Sequence, residues 1–374
     1  MATPPNPARN NPPERKNHLK TIATYSTIIL LSLFMVEGGV RARQWWYYGS
    51  AETLDKAYRD DEKNGLRVPV ANYESRSTKI NSMGFRGPEI TVPKPEGTIR
   101  IAFIGASTTY CAEASGNDKV WPHLVWKKIQ ETYPDVPMDY VNAGIPGLSV
   151  TASLKDLRQR VKPLHPDIFI IYHASNDMSW ETRQLAKEQG LFKKVDETDW
   201  LGRHSLFWFL AEKNFRLWTI QRQAQSGIDH LRDLPPTFGL TFEKSLLELI
   251  HEAQDQGGLV AVATWSQQMR DNHTPAENLK AASSSLYYMP YMTPRLLLQG
   301  FRIYNQVITK VAQVTGSILI GGEDTIPGDP QHFNDSIHFT DAGNQRMAER
   351  VIQTLLMSET FQQRIKSDAR PASR

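Results

Sequence analysis

The sequence predicts an α/β protein, a three-layer α/β/α sandwich around a five-stranded parallel sheet, preceded by an N-terminal transmembrane helix. Three observations predict this fold class. An uncharged apolar stretch lies near the N-terminus, short apolar runs recur after residue 98, and stretches of helical periodicity separate those runs. With 374 residues the chain is long enough to bury a substantial core.

The N-terminal segment is predicted to be a membrane anchor. Residues 1–20 form a basic polar tail that we expect in the cytoplasm, and residues 21–40 give about 30 Å of helix, enough to cross a bilayer. The preceding basic residues favour transfer of the rest of the chain across the membrane, and an aromatic group at 45–48 follows where an interfacial belt would lie. A cleaved signal peptide and a buried N-terminal helix are the alternatives, and the first of these also places the bulk of the chain outside the cytoplasm.

The polar residues 41–97 are predicted to be a stem or linker. After them, five apolar runs bounded by turn residues predict strands over 99–104, 138–141, 167–172, 258–265 and 317–320. Apolar residues at helical intervals predict helices over 121–133, 153–161, 242–253, 301–314 and 342–356. Because strands that alternate with helices form a parallel sheet, we expect one domain over 98–360 and a flexible tail over 361–374.

The segment between the third and fourth strands is longer than one crossover helix requires. It predicts an insertion at about 181–238, and its part from 200 to 223 is rich in Trp and Phe. Two interpretations stay open: a lid or acyl-binding wall, or a pair of helices that pack their aromatic faces on the domain.

Composition excludes several classes of function. Lys and Arg number 43 against 40 Asp and Glu, so the formal net charge of +3 predicts no nucleic-acid partner. The single cysteine, Cys111, cannot form an intrachain disulfide or a cysteine-based metal site, and its position four residues after Ser107 favours a small buried side chain. No carboxylate–histidine cluster of ligand spacing surrounds His332, so no metal site is predicted there.

Ligands of an open parallel sheet bind beyond the carboxyl ends of its strands, and several chemically active residues follow those ends. Ser107 stands on the turn after the first strand and is a candidate nucleophile or a helix N-cap. The loop after the second strand offers the N–H of Gly147, or alternatively of Gly144, to a developing oxyanion. Asn176 follows the third strand and offers an amide donor.

Two further side chains follow that third strand. His173 is predicted either to line the pocket or to lie in the core, and Asp177 is a possible pocket residue. Near the C-terminus, Asp335 precedes His338 by three residues, a spacing that lets the carboxylate reach Nδ1 so that Nε2 can accept a proton from Ser107.

These residues occur together in an order that resembles the SGNH or GDSL-type serine hydrolases, over residues 80 to 358. The segment 105–107 is similar to the family's first block, Gly147 to its second-block glycine, 174–177 to its third block and 335–338 to its Asp-x-x-His block. Ala106 and Ala174 depart from the residues usual there. The stretch 80–87 resembles a lead-in found in bacterial, membrane-anchored members.

The resemblance implies a flavodoxin-like sheet and ester hydrolysis through an acyl-enzyme. Ser107 would be the nucleophile, His338 the base and then acid, and Asp335 the residue that orients it. The N–H groups of Ser107 and Gly147 and the amide of Asn176 would hold the oxyanion. Such a mechanism would require no metal and no organic cofactor. We expect an extracytoplasmic esterase acting on acylated glycans or lipid-like esters; an O-acyltransferase that modifies an exopolysaccharide and a non-catalytic glycan-binding protein are the alternatives.

Overall fold

The computed structural model describes residues 14–48, 57–62, 65–191, 204–226, 230–255 and 257–368. These residues fall into two compact units. The smaller contains 14–48 and 204–212, and the larger contains the remainder, including every residue of the predicted site.

The larger unit is built on the five predicted strands. A short antiparallel hairpin, β1 (Tyr58–Asp61) and β2 (Leu66–Pro69), comes first. The main sheet is entirely parallel and has the spatial order β4-β3-β5-β6-β7, where the strands are β3 (Ile99–Gly105), β4 (Met138–Gly144), β5 (Ile168–Tyr172), β6 (Leu259–Ala263) and β7 (Ile318–Ile320). All residues of β3 and β5 are buried, as expected of central strands covered on both faces.

Helices follow the strands where the apolar periodicity predicts them. In chain order they are α1 (Glu14–Tyr48), α2 (Ser107–Tyr110), α3 (Trp121–Thr132), α4 (Val150–Asp156), α5 (Ser175–Glu188), α6 (Leu206–Ser226), α7 (Leu240–Gln254), α8 (Pro275–Ala281), α9 (Ser283–Tyr288), α10 (Pro294–Thr315), α11 (Asp341–Met357) and α12 (Glu359–Asp368). Among these, α3 packs against α11, while α4 and α10 pack against α7. Right-handed crossovers assign the two groups to opposite faces of the sheet, which confirms the three-layer sandwich.

The strand order reverses direction at β3. The chain goes from β3 to β4 on one side and then returns to β5 on the other side of β3. A crevice opens at such a switch point, between the segments that leave β3 and β5. Ser107 follows the first of these strands and Asn176 follows the second, so the fold brings both predicted residues to this crevice.

The structure differs from the predicted stem over its C-terminal part. Residues 57–62 and 65–97 belong to the larger unit, and the side chains of Ile80, Phe85 and Arg86 are at least 96% buried. Asn81 fixes the turn between them, because its Oδ1 accepts the N–H groups of Met83 and Phe85 at 3.0 and 2.9 Å. The polar composition of this segment reflects hydrogen-bonded turns rather than a solvated linker.

The C-terminus also differs from the predicted flexible tail, up to residue 368. Residues 359–368 form α12, whose Phe361 and Ile365 are fully buried. Gln362 secures its start, since Nε2 donates to the carbonyl of Leu356 at 2.7 Å. Two apolar side chains four residues apart are enough to dock one helical face on the domain.

The N-terminal helix is longer than the predicted span. Residues Lys20–Trp46 within α1 are long and apolar enough to cross a membrane. The apolar side chains are exposed along the helix, among them those of Ile22, Ile28, Ile29, Leu30, Leu31, Leu33 and Phe34.

Part of the predicted insertion is described. Its two ends belong to the larger unit, through α5 and through the buried side chains of Leu231 and Phe238. In α6 the side chains of Phe215 and Trp218 are 68% and 49% exposed, so these rings are not packed on a core. Trp200 lies outside the described residues.

Candidate active site

The candidate nucleophile lies on a tight turn at the carboxyl end of β3. Ser107 begins the one-turn helix α2 two residues after the strand ends at Gly105. A Cβ on Gly105 would lie 2.6 Å from Cβ of Thr109 and 2.8 Å from the carbonyl oxygen of Tyr172, so only glycine allows the turn to pass between these groups. The turn leaves Ser107 partly exposed at the sheet edge.

The structure brings Ser107, His338 and Asp335 together, although 228 to 231 positions separate them in the chain. Nε2 of His338 lies 2.8 Å from Oγ of Ser107. Nδ1 of His338 lies 2.8 Å from Oδ2 of Asp335. A carboxylate accepts the Nδ1 proton, so the network assigns Nε2 as the acceptor for the serine hydroxyl.

The electrostatics of the pair suit a general base. Burial lowers the pKa of His338, but the hydrogen bond and charge of Asp335 outweigh it and hold the pKa above 6.5. Burial raises the pKa of Asp335, while the bond from His338 and two backbone N–H groups lower it below its usual 3.8. Asp335 is therefore ionised wherever His338 is neutral.

The loop that carries both residues is fixed at its centre by Ser336, which is 1% exposed. Its N–H donates to Oγ of Ser284 at 3.1 Å, and its own Oγ accepts the N–H of Ser285 at 3.0 Å. Its carbonyl accepts the N–H of Gln268 at 2.8 Å. These three bonds tie the loop to α9 and to the segment after β6, which limits the rotation of Asp335 and His338.

The two candidate oxyanion glycines have different environments. The N–H of Gly144 donates to Oδ1 of Asn142 at 3.0 Å, and a Cβ there would lie 2.7 Å from the backbone carbon of Thr109. Gly147 has a positive φ of 86°, open space around its Cα, and an N–H without a partner among the described residues. The geometry favours Gly147 as the donor and Gly144 as a packing residue.

Asn176 is the second residue of α5, on the side of the crevice that follows β5. One hydrogen of its amide donates to the carbonyl oxygen of Leu148 at 2.9 Å, next to Gly147. The amide nitrogen carries two hydrogens, so a second donor remains available on the same group. The bond to Leu148 also orients the amide toward the glycine loop.

The carbonyl groups of α2 are held by side chains that sequence reasoning did not identify. Nε1 of Trp121 donates to the carbonyl of Thr108 at 2.9 Å. Nδ2 of Asn142 donates to the carbonyl of Thr109 at 3.0 Å. A single helical turn cannot satisfy its own last carbonyls, so neighbouring elements supply the donors.

Arg86, in the segment before β3, is the third side chain that donates to carbonyl groups of this turn. Its Nη1 donates to the carbonyls of Tyr110, at 2.9 Å, and of Cys111, while Nε donates to Oδ1 of Asn117 at 3.0 Å and Nη2 to the carbonyl of Ser77 at 2.7 Å. The guanidinium thus binds the C-terminal end of the turn that carries Ser107, the candidate nucleophile. The only sequence signal was its place in the lead-in stretch 80–87.

His173 and Asp177, the two other candidates that follow the third strand of the prediction, both bond to neighbouring elements of the fold. His173 is 2% exposed, its Nε2 lies 2.9 Å from Oγ of Ser153, and burial lowers its pKa to about 3, so it lies in the core rather than in a pocket. Asp177 accepts the N–H of Val150 at 3.0 Å, which anchors the start of α4. It also lines a cavity of about 300 Å³ beside Trp180, and burial raises its pKa to about 7.

The remaining candidates do not join Ser107. Cys111 is buried with a positive φ of 59°, and burial raises its pKa to about 12, so it remains a thiol. His332 pairs with Asp329, Nδ1 to Oδ1 at 2.8 Å. Within the described ranges, no group of three or more His, Cys, Asp or Glu side chains could hold a metal ion.

Comparison with known proteins identifies the family of this arrangement. Residues 103–346, more than half of the chain, match the GDSL-like lipase/acylhydrolase family. The chain belongs to this family. As a GDSL-like acylhydrolase it acts on ester bonds, which confirms the predicted enzyme class and fold. No curated protein sequence matches it.

Solved structures similar to this GDSL-like acylhydrolase include acetylxylan esterases. An acetylxylan esterase from Geobacillus stearothermophilus has 16% sequence identity and a TM-score of 0.43, covering 68% of this chain and 93% of its own. A second acetyl xylan esterase has 15% identity and a TM-score of 0.42, covering 68% of this chain and 98% of its own.

Proposed function

We propose that the chain is an extracytoplasmic serine esterase that hydrolyses O-acyl esters, with acetyl or short acyl groups, through an acyl-enzyme. The observation that supports this proposal is the pair of 2.8 Å hydrogen bonds joining Ser107 to His338 and His338 to Asp335. A hydroxyl within proton-transfer reach of an imidazole that a carboxylate orients is the arrangement of an activated serine nucleophile.

The first half of the reaction forms the acyl-enzyme. Oγ of Ser107 attacks the ester carbonyl carbon while Nε2 of His338 takes the hydroxyl proton. The tetrahedral intermediate then collapses, and the bond to the alcohol oxygen breaks as His338 returns that proton to the leaving alcohol. In the second half, water attacks the acyl carbonyl carbon while Nε2 of His338 accepts a proton from it. The bond between that carbon and Oγ then breaks, His338 returns the proton to Oγ of Ser107, and the acid is released.

Three donors are proposed to stabilise the oxyanion of both tetrahedral intermediates. They are the N–H groups of Ser107 and Gly147 and the amide of Asn176. Support comes from the N–H of Gly147, which has no partner in the part of the chain that the structure describes, and from the bond that holds the Asn176 amide beside it. Removal of one such donor is expected to lower turnover by about 10²–10³.

The preference for a short acyl group is proposed from the burial of residues next to the candidate catalytic ones in the sequence. Ala106, Leu148 and Ile337 adjoin the site in sequence, and each is at most 9% exposed. Side chains packed into the interior in this way do not present an apolar wall to a long chain. We therefore expect turnover to fall from acetyl to butyryl to octanoyl esters.

The extracytoplasmic location is proposed from the N-terminal helix. The apolar segment Lys20–Trp46 supports an anchor, and the preceding basic residues support a cytoplasmic N-terminus. Digestion of intact and of permeabilised cells by an added protease tests this location. Cleavage of the 57–368 region only after permeabilisation of the inner membrane would contradict it.

The activity is tested by release of p-nitrophenol from its acetate ester by the full-length protein. Ser107→Ala should abolish release, whereas Ser179→Ala, which removes a hydroxyl bonded to the carbonyl of Tyr288 at 3.1 Å, should leave it unchanged. Hydrolysis that survives Ser107→Ala would refute the proposal. Faster transfer of the acetyl group to an added polysaccharide than to water would show that the protein is an acyltransferase rather than a hydrolase.

A further inference from the structure

The start of α6 carries an unusual run of apolar residues. We call residues 206–210 the aromatic turn; their sequence is Leu-Phe-Trp-Phe-Leu. Successive residues of a helix point about 100° apart, so five consecutive apolar side chains cover every side of the turn. A helix that packs one face on a protein core cannot bury all of them, and Trp208 and Phe209 are 44% and 40% exposed.

The aromatic turn is attached to α1, within the same compact unit. The carboxylate of Glu37 accepts the N–H groups of Leu206 and Phe207 at 3.0 and 2.9 Å and the hydroxyl of Ser205 at 2.8 Å. Arg41 donates to Oε1 of Glu37 at 2.6 Å and to the carbonyl of His204 at 3.3 Å. Glu37 therefore caps the first turn of α6 from another helix.

These contacts fix the depth of the aromatic turn along α1. Glu37 lies three residues before the end of the predicted 21–40 span, which is about 5 Å of helix, and nine residues before the end of the apolar segment Lys20–Trp46. Trp45 and Trp46 lie one to two turns beyond residue 40, where an interfacial aromatic belt is expected, and their side chains are 59% and 66% exposed. With residues 21–40 across the bilayer, the aromatic turn would lie at the level where hydrocarbon gives way to headgroups.

The hydrogen bonds also explain how the Glu37 carboxylate and the first N–H groups of α6 are tolerated at the edge of a bilayer. Unpaired charges and unsatisfied N–H groups are costly at the edge of a bilayer. Glu37 receives three donors from the start of α6 and one from Arg41, so each partner satisfies the other. What remains directed outward is apolar and aromatic surface.

We infer that the aromatic turn is a second membrane contact, with Trp208 and Phe209 inserted into the headgroup–acyl boundary of the lipid bilayer beside the end of the span. This inference rests on the membrane location proposed above. It assigns the aromatic insertion to the lipid surface, where amphipathic rings are favoured, in place of a lid or an acyl-binding wall.

Single-cysteine labelling of the full-length protein tests it, because the only native cysteine, Cys111, is buried. Phe209→Cys, Phe34→Cys and Glu131→Cys are labelled with a nitrobenzoxadiazole dye and reconstituted into phosphatidylcholine–phosphatidylglycerol vesicles. Lipids brominated near the glycerol or near the chain end then quench the dye according to its depth. Release of p-nitrophenol from its acetate ester by each labelled variant verifies folding.

The expected result is quenching at position 209 by the shallow bromines, quenching at 34 by the deep ones, and none at the exposed position 131. Glu37→Leu should abolish the shallow quenching at 209 and leave that at 34. If 209 is as unquenched as 131 while 34 is quenched, the second contact is refuted and the anchor stands. Absence of quenching at 34 refutes the anchor, and the inference with it, without touching the esterase activity.

Discussion

Arg86→Lys tests whether the guanidinium positions the nucleophile. Arg86 is 1% exposed and satisfies four acceptors, two of which are the carbonyls that end α2. Lysine keeps the positive charge, but its three N–H donors are on a single nitrogen. It cannot reproduce the planar arrangement of donors that the guanidinium presents to these acceptors. At least one of the four acceptors is then left without its donor.

The expected magnitude follows from two effects. A buried acceptor without a partner costs about 1–3 kcal/mol, so the melting temperature should fall. Because the lost bonds hold the turn that begins at Ser107, its Oγ should also shift relative to His338. A displacement of about 1 Å at reacting atoms can lower the rate about 10²-fold, so we expect kcat to fall by that order while KM changes little.

Arg100→Lys is the matched control. Arg100 is also fully buried and donates to Asp139, Leu164 and Thr91, but it stands at the opposite end of β3 from Ser107. Both variants are compared by thermal unfolding and by steady-state hydrolysis of p-nitrophenyl acetate. Arg100→Lys should lower stability alone. If Arg86→Lys lowers stability and leaves kcat unchanged, the positioning role is refuted.

Three further predictions concern the residues around the nucleophile. Hydrolysis should be lost as pH falls through the pKa of His338, which lies above 6.5, because only the neutral imidazole can accept the proton of Ser107; a kcat/KM limb at or below 6.5 would argue against it. Asp335→Asn should lower kcat by about 10⁴ and shift the acidic fall of kcat/KM to lower pH, since the carboxylate raises the pKa of the imidazole. An unshifted pH profile would show that a group other than His338 determines the loss of activity in acid. Gly144→Ala should destabilise the protein by about 1–3 kcal/mol in denaturant unfolding, because the added Cβ meets the backbone of α2, and an unchanged midpoint would mean that the turn yields freely.

The sheet and the candidate catalytic residues could be predicted because both leave short-range patterns. A fully buried strand such as β5 is a continuous apolar run, and its bounds differ by one residue from the prediction. Ser107 and Asn176 were identified because each follows such a run directly. Asp335 and His338 were identified because a spacing of three residues lets a carboxylate reach an imidazole within one turn, whatever the rest of the chain does.

The parts that sequence reasoning missed depend on long-range contacts. Arg86 looks like any surface arginine until the fold places it beneath two carbonyls that are 24 and 25 positions away. His173 could line a pocket or lie in the core, and only its contact with Ser153 decides between them. Residues 361–368 were predicted to belong to a flexible tail because two apolar side chains are too few to predict a docked helix.

The most direct test of the central claim is to trap the acyl-enzyme. The full-length protein is mixed with p-nitrophenyl acetate, quenched in acid during the first turnover, digested and analysed by mass spectrometry. The acyl-enzyme mechanism predicts an acetyl group on the peptide that contains Ser107, and no such adduct on that peptide in Ser107→Ala. An acetyl group on any other residue, or turnover without an adduct at Ser107, would contradict it.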